Sequence, residues 1–146
     1  MEILGLDIGG TGIKGGMVNL KSGEMVSERF RLNTPKPSLP KAVAETAAKI
    51  IEHFDYQGIV GCGFPAIVKN GTAHSAANIH SSWIGTHAEE LISKESGCQI
   101  FACNDADVAG LAEMRFGAGK GKSGSVLLIT IGTGLGSALF TDGKMV

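Results

Sequence analysis

The chain has 146 residues, of which 22 are glycine, about twice the usual ~7% share. Four prolines without a Gly-X-Y period exclude collagen, and 43% hydrophobic residues with a mean hydropathy of +0.17 exclude a disordered glycine linker. A formal charge of -1 supplies no global field for nucleic acid or an anionic membrane, so any anion binding must be local.

Residues Glu2 to Ile8 are a short β-rich run that stops at Gly9, Gly10, Thr11 and Gly12. Ile13 to Leu20 form a second run, making a strand, tight turn, strand unit. Met25 to Leu32 alternate apolar and polar residues with the period of a half-exposed strand. After a proline-rich loop, Val43, Ala47, Ile50, Ile51 and Phe54 recur at helical spacing, predicting a helix with one face on the sheet. Gly58 to Phe64 read as a buried strand and Asn70-Gly71 as a type I′ hairpin turn. Thr86 and Glu89 form a capping box for a second helix that ends near Gly97. Cys98 to Asn104 are a strand running into a third helix from Asp105 to Gly117. A flexible glycine connector reaches Gly124, and Ser125 to Ile131 read as a strongly buried strand. Gly132-Thr133-Gly134-Leu135-Gly136 then turns the chain into a last strand.

Cys62, Cys98 and Cys103 are odd in number, lack C-x-x-C spacing and lie in apolar stretches, as reduced core thiols do. No basic n-region precedes an apolar h-region, and no run approaches 18 apolar residues, so the expected location is the cytoplasm. The four histidines show no metal spacing and are expected at the surface.

Gly10, Gly12 and Gly15 fit G-x-G-x-x-G, but a dinucleotide fingerprint opens a helix and here β-rich residues follow. Gly121-Lys122-Ser123 resembles the end of a P-loop, yet Phe116 stands where the first glycine belongs and a strand follows instead of a helix. The strings DIGGTGIK and TIGTGLGSALF are the stronger signal. Both are glycine and threonine turns between strands, in which backbone N–H groups can converge on an anion; Lys14 adds a point charge in the first. Asp7, at the strand end, suits Mg²⁺ held through water. Asn104 and Asp105 stand where a buried strand meets a helix N-terminus, the place from which α/β sheets address ligands. A carboxylate there can take the proton of an attacking hydroxyl, or serve only as a helix cap.

The strings DIGGTGIK, GFPAIV, SAANIHSSWIG, NDADVAGLAEMRFGAGKGKSG and ITIGTGLGSALF resemble the N-terminal part of the ROK family of sugar kinases, and within it the polyphosphate glucokinase group. The resemblance implies an α/β fold: the actin-like ATPase (ribonuclease H-like) lobe, with three antiparallel strands followed by alternating helices and strands. It implies a ribonuclease H-like lobe over 1–117, with 118–146 as a connector and the first hairpin of a second lobe. That family's Glu-x-Gly-His sugar motif and adenosine-side segment lie beyond the second phosphate loop.

By the same resemblance Asp105 matches the catalytic base and Asn104 a glucose ligand, with Asn78 in the stretch near the sugar. Gly9, Gly10, Thr11, Gly12 and Lys14 match the first phosphate loop, with Asp7 before it, and Gly132, Thr133 and Gly134 match the second. Ala66 and His80 depart from the family pattern, which has glycine and, in the subgroup, aspartate there. The implied reaction is phosphoryl transfer from polyphosphate or ATP, with Mg²⁺, to the 6-hydroxyl of glucose. Arg115, Lys120 and Lys122 are expected to track the polyanion, and the apolar hairpin ending at Phe140 to seek a partner by dimerisation or aggregation, with a homodimer the expected state. The alternative is a non-catalytic sugar-binding or regulatory member; family repressors carry a DNA-binding helix-turn-helix before the first loop, where this chain has a strand starting at Glu2.

Overall fold

The computed structural model describes every residue except Thr133. The chain divides into two compact units, Met1–Asn104 and Asp105–Val146.

The first unit opens with β1 (Glu2–Ile8), β2 (Gly12–Asn19) and β3 (Phe30–Asn33), successively antiparallel, as expected. Helix α1 (Pro40–His53) leads to β4 (Ile59–Phe64), and a small hairpin of β5 (Val68–Lys69) and β6 (Thr72–Ala73) follows. Helix α2 (Ala88–Ser96) and β7 (Gln99–Asn104) complete the unit. The five-stranded sheet has the order β3-β2-β1-β4-β7, with β4 parallel to β1 and β7 parallel to β4. Leu4, Leu6 and Ile8 of β1 and Val60, Cys62 and Phe64 of β4 point to one face, where they meet Val43, Ala47 and Ile50 of α1. This alternation leaves Asp7, Lys14 and Arg31, which are in register across three strands, on the opposite face.

Helix α1 starts three residues before Val43, because Pro40 fits the first helical turn, where its missing N–H costs nothing. The strand predicted over Met25–Leu32 is shorter. Ser27 Oγ takes the N–H of Met17 at 2.9 Å, replacing a ladder bond, so only Phe30–Asn33 pair as a strand and Met25 makes an isolated bridge to Val18. Asn70 and Gly71 both have positive φ, 51° and 74°, as the type I′ turn requires. Gly97 closes α2 in the left-handed conformation, as expected.

The capping box does not form. His87 caps α2, its Nδ1 accepting the N–H of Glu90 at 3.3 Å, while Thr86 Oγ1 donates to Ser82 O and Glu89 accepts the N–H of Ala102 at 2.8 Å. A carboxylate drawn to a strand N–H cannot also reach back to the helix start.

The second unit consists of α3 (Asp105–Phe116), the antiparallel pair β8 (Ser125–Ile131) and β9 (Leu135–Thr141), and a short β10 (Lys144–Met145). The sequence reading divides the chain after Gly117, whereas here α3 groups with the hairpin. Gly110 lets α3 lie against β9: a Cβ there would come within 2.8 Å of Ala138 and Phe140. Strand β8 is not strongly buried. Val126, Leu128 and Thr130 are half-buried, whereas Leu127, Ile129 and Ile131 on the other face are 59%, 55% and 86% exposed. Phe140 itself is fully buried. In the connector, the N–H of Ala118 donates to the Glu113 carboxylate at 3.0 Å and that of Gly117 to Glu113 O.

Candidate functional site

In the turn between β1 and β2 the carbonyls of Gly9, Thr11 and Gly12 are tied to the protein. Gly12 O accepts the N–H of Gly9 at 2.9 Å, and Gly9 O accepts the hydroxyl of Thr34 at 2.6 Å. Thr11 O accepts two donors, the N–H of Thr34 and Nη2 of Arg31, both at 3.2 Å. Among the described residues the N–H groups of Gly10 and Thr11 have no acceptor. The Gly10 N–H shares its peptide plane with the bonded Gly9 carbonyl, so it is held in place and needs little reorganisation to receive an anion. Gly9, Gly10, Thr11 and Gly12 form one turn, within which the Gly9 N–H is committed to Gly12 O.

Thr34 and Arg31 were not singled out in the sequence. Thr34 is 4% exposed, and both its hydroxyl and its N–H serve the turn. The guanidinium of Arg31 lies against Gly12, where any Cβ would collide with it, and its Nη1 donates to Asn33 Oδ1 at 2.7 Å.

Asp7 and Lys14 face each other across β1 and β2, with Nζ 3.4 Å from Oδ2, and both are substantially solvent-accessible. Lys14 thus carries a counterion. Mg²⁺ commonly keeps its waters and takes one or two carboxylates plus substrate phosphates. Asp7 fits that partial donor set, since its Oδ1 has no protein partner among the described residues. No group of three or more His, Cys, Asp or Glu side chains among the described residues could hold a metal without such help.

Asn78 adjoins the turn. A Cβ on Gly10 would come within 2.6 Å of Asn78 O, so only glycine permits this approach. Gly10, Lys36, Ser38, Asn78 and His80 border an open polar cleft of about 300 Å³. Its far wall is fixed by Ser38, whose Oγ takes the N–H of His80 at 3.0 Å and whose O takes Trp83 Nε1 at 3.0 Å. His80 caps a short 3-10 turn (Ser81–Trp83) through Nδ1, which accepts the N–H of Ser82 at 3.1 Å.

Asn104 ends β7 and donates from Nδ2 to Ala66 O at 3.0 Å, which ties it to the Phe64-Pro65-Ala66 turn. Asp105 opens α3 and is exposed, with one carboxylate oxygen accepting the N–H of Ala106 at 2.8 Å. That bond goes to the next residue and not to the second or third helical N–H that an N-cap side chain takes. In the second unit's turn, Gly132 donates its N–H to Gly134 O at 3.0 Å, and both glycines are exposed. Thr133 lies outside the described residues.

None of Cys62, Cys98 and Cys103 forms a disulfide among the described residues. Burial, then the negative charges of Asp7 and Glu89, push the Cys62 thiol up from 9.0 to about 12, so it stays protonated and unreactive at neutral pH. Among the described residues no helix is long and apolar enough to cross a membrane.

With this geometry in place, comparison with known proteins decides the family. A model of the ROK family matches residues 3–146. The chain belongs to the ROK family. It is 47% identical over 143 residues to polyphosphate glucokinase of Mycobacterium tuberculosis strain H37Rv, covering 97% of this chain and 54% of that protein. The structure superposes on an inorganic polyphosphate/ATP-glucomannokinase from Arthrobacter sp. strain KM with a TM-score of 0.95 and 47% identity, over 99% of this chain and 60% of that one. A ROK glucokinase from Streptomyces griseus, solved with glucose and AMPPNP, gives a TM-score of 0.85 at 30% identity, over 100% of this chain and 46% of that one. This ROK chain spans about half the length of the curated relatives it matches, and it shares with the ROK sugar kinases the actin-like ATPase fold.

Proposed function

We propose that the protein is a glucokinase that transfers a phosphoryl group from inorganic polyphosphate or ATP to the 6-hydroxyl of glucose. The observation that carries this reading is the β1–β2 turn, with the Gly9, Thr11 and Gly12 carbonyls bound inward and the N–H groups of Gly10 and Thr11 left for an anion. Its likeness to polyphosphate glucokinase and to the glucomannokinase supports the choice of donor and acceptor.

In this reading Asn104 and Asn78 hold sugar hydroxyls, and Asp105 accepts the proton of the 6-hydroxyl as that oxygen attacks the terminal phosphorus. The bond from phosphorus to the bridging oxygen breaks. The products are glucose 6-phosphate and either ADP or a polyphosphate one unit shorter. The Gly9–Gly12 turn with Lys14, and the Gly132–Gly134 turn with Thr133, receive the donor phosphates. Mg²⁺, reached through water by Asp7, would offset donor charge when bound. The basic connector residues Arg115, Lys120 and Lys122 extend the contact to a long polyanion.

We further propose the lobe boundary after Gly117, a homodimer and a cytoplasmic location. The test is a coupled glucose-6-phosphate assay on the protein as its gene encodes it, with polyphosphate and with ATP. Product with at least one donor is expected, and no product with either contradicts the reading.

A further inference from the structure

The donor end of the proposed site contains a cation that the family resemblance does not assign. Arg31 sits on β3, in register with Lys14 and Asp7 across the sheet. Lys14 is paired with Asp7, whereas Arg31 makes no ion pair among the described residues; the pairs found are Lys14–Asp7 and Lys41–Glu45. Of the five guanidinium N–H groups, one donates to Thr11 O and one to Asn33 Oδ1, both neutral acceptors. Thr11, whose carbonyl holds Arg31, also carries one of the two unpaired N–H groups of the turn. A fixed, uncompensated guanidinium next to open backbone donors is the arrangement that recognises a phosphate oxygen.

We infer that Arg31 is a donor-binding residue: its guanidinium contacts the phosphate chain seated on the β1–β2 turn and adds a positive charge there to that of Lys14, which is paired with Asp7. Arg29, which lines an open cleft with Asp7 and Lys14, lies two residues back on the same edge, so a linear polyphosphate has a cationic path along it. This inference rests on the phosphotransferase reading for its ligand, but its test does not depend on turnover.

The probe is tripolyphosphate, titrated calorimetrically into the protein as encoded, alongside steady-state kinetics with long-chain polyphosphate. Arg31→Ala is expected to weaken tripolyphosphate binding about tenfold, which is the tenfold loss expected when a charge-assisted contact worth about 1.4 kcal/mol is removed. It should also lower the slope of log Kd against log salt by about one charge and leave the KM for glucose unchanged. Arg31→Gln keeps a donor for Thr11 O without the charge, and should fail as Arg31→Ala does; Arg31→Lys should recover part of the affinity. If Arg31→Gln binds like the wild type, the side chain only braces the turn and the inference is overturned. Unchanged affinity and salt slope in Arg31→Ala overturn it as well. A wild type that binds tripolyphosphate through Arg31 yet makes no glucose 6-phosphate contradicts the kinase reading alone; a wild type that does not bind it contradicts both.

Discussion

The two compact units differ in what the open face of the sheet carries. In Met1–Asn104 one face of the sheet is sealed by α1 and α2, and the contiguous buried cluster from Leu4 to Ile100 lies wholly within it. In Asp105–Val146 the hairpin seals only the face carrying Ala138 and Phe140, and the other displays Ile131 and Leu135 at 86% and 80% exposure. The same alternation of residues therefore leaves an open face that carries Asp7, Lys14 and Arg31 in one unit and Ile131 and Leu135 in the other. Strand patterning specifies which residues share a face; it does not specify whether that face is covered.

Substitutions can break or sharpen this contrast. The largest effect is expected for Trp83→Ala in the first unit. Trp83 is fully buried, packs edge-on to Phe64 at 4.8 Å and donates to Ser38 O. Its truncation should cost about 3–5 kcal/mol in urea unfolding of the 146-residue chain. A loss below about 1 kcal/mol would mean that this core is not the main source of stability.

Next comes Thr34→Val, which removes the 2.6 Å bond to Gly9 O and leaves a partly buried carbonyl unsatisfied. A cost of about 1–3 kcal/mol is expected, with several-fold weaker tripolyphosphate binding and recovery of both in Thr34→Ser. Normal binding in Thr34→Val would show that the turn holds its shape without this brace.

Alkaline pH gives a third effect, confined to conditions above pH 9. The Cys62 thiol is held at about 12 in the folded chain against an ordinary 9.0, so between those values the unfolded chain loses a proton that the folded one keeps. The stability contribution is complete below pH 9 and declines as pH rises towards 12, with an extra slope of up to about 1.4 kcal/mol per pH unit. Cys62→Ala should remove that extra slope from a pH series of unfolding curves; parallel curves would refute the burial-driven shift.

The smallest effect is expected for Ile131→Ser and Leu135→Ser, each within about 0.5 kcal/mol in the 146-residue chain. A cost comparable to Trp83→Ala would erase the distinction between the units.

Much of this organisation is legible in the sequence because it is local. The strand, turn, strand unit at Asp7–Lys14, the Asn70-Gly71 hairpin and the Gly97 stop each need only neighbouring residues, and each is found. What escapes is long-range or chemically atypical. Thr34 and Arg31 brace the first turn from 25 and 20 residues away, and nothing in the pattern around Asn33-Thr34-Pro35 marks a hydroxyl that will point at Gly9. The register that pairs Gly12 with Asn33 was the available signal, once β3 is placed correctly. The caps supplied by His80 and His87 were missed because an imidazole nitrogen is outside the usual Ser, Thr, Asp and Asn set. The capping box failed for a related reason, since Glu89 is taken by a strand that begins ten residues later.

The most direct test of the central claim is the turnover of Asp105→Asn in the protein as encoded, with glucose and polyphosphate. The account predicts a fall in kcat of about 10²–10⁴, little change in the KM for polyphosphate and an unaltered thermal unfolding midpoint. A kcat within about twofold of the wild type would show that Asp105 does not take the proton of the attacking hydroxyl, and would contradict the account.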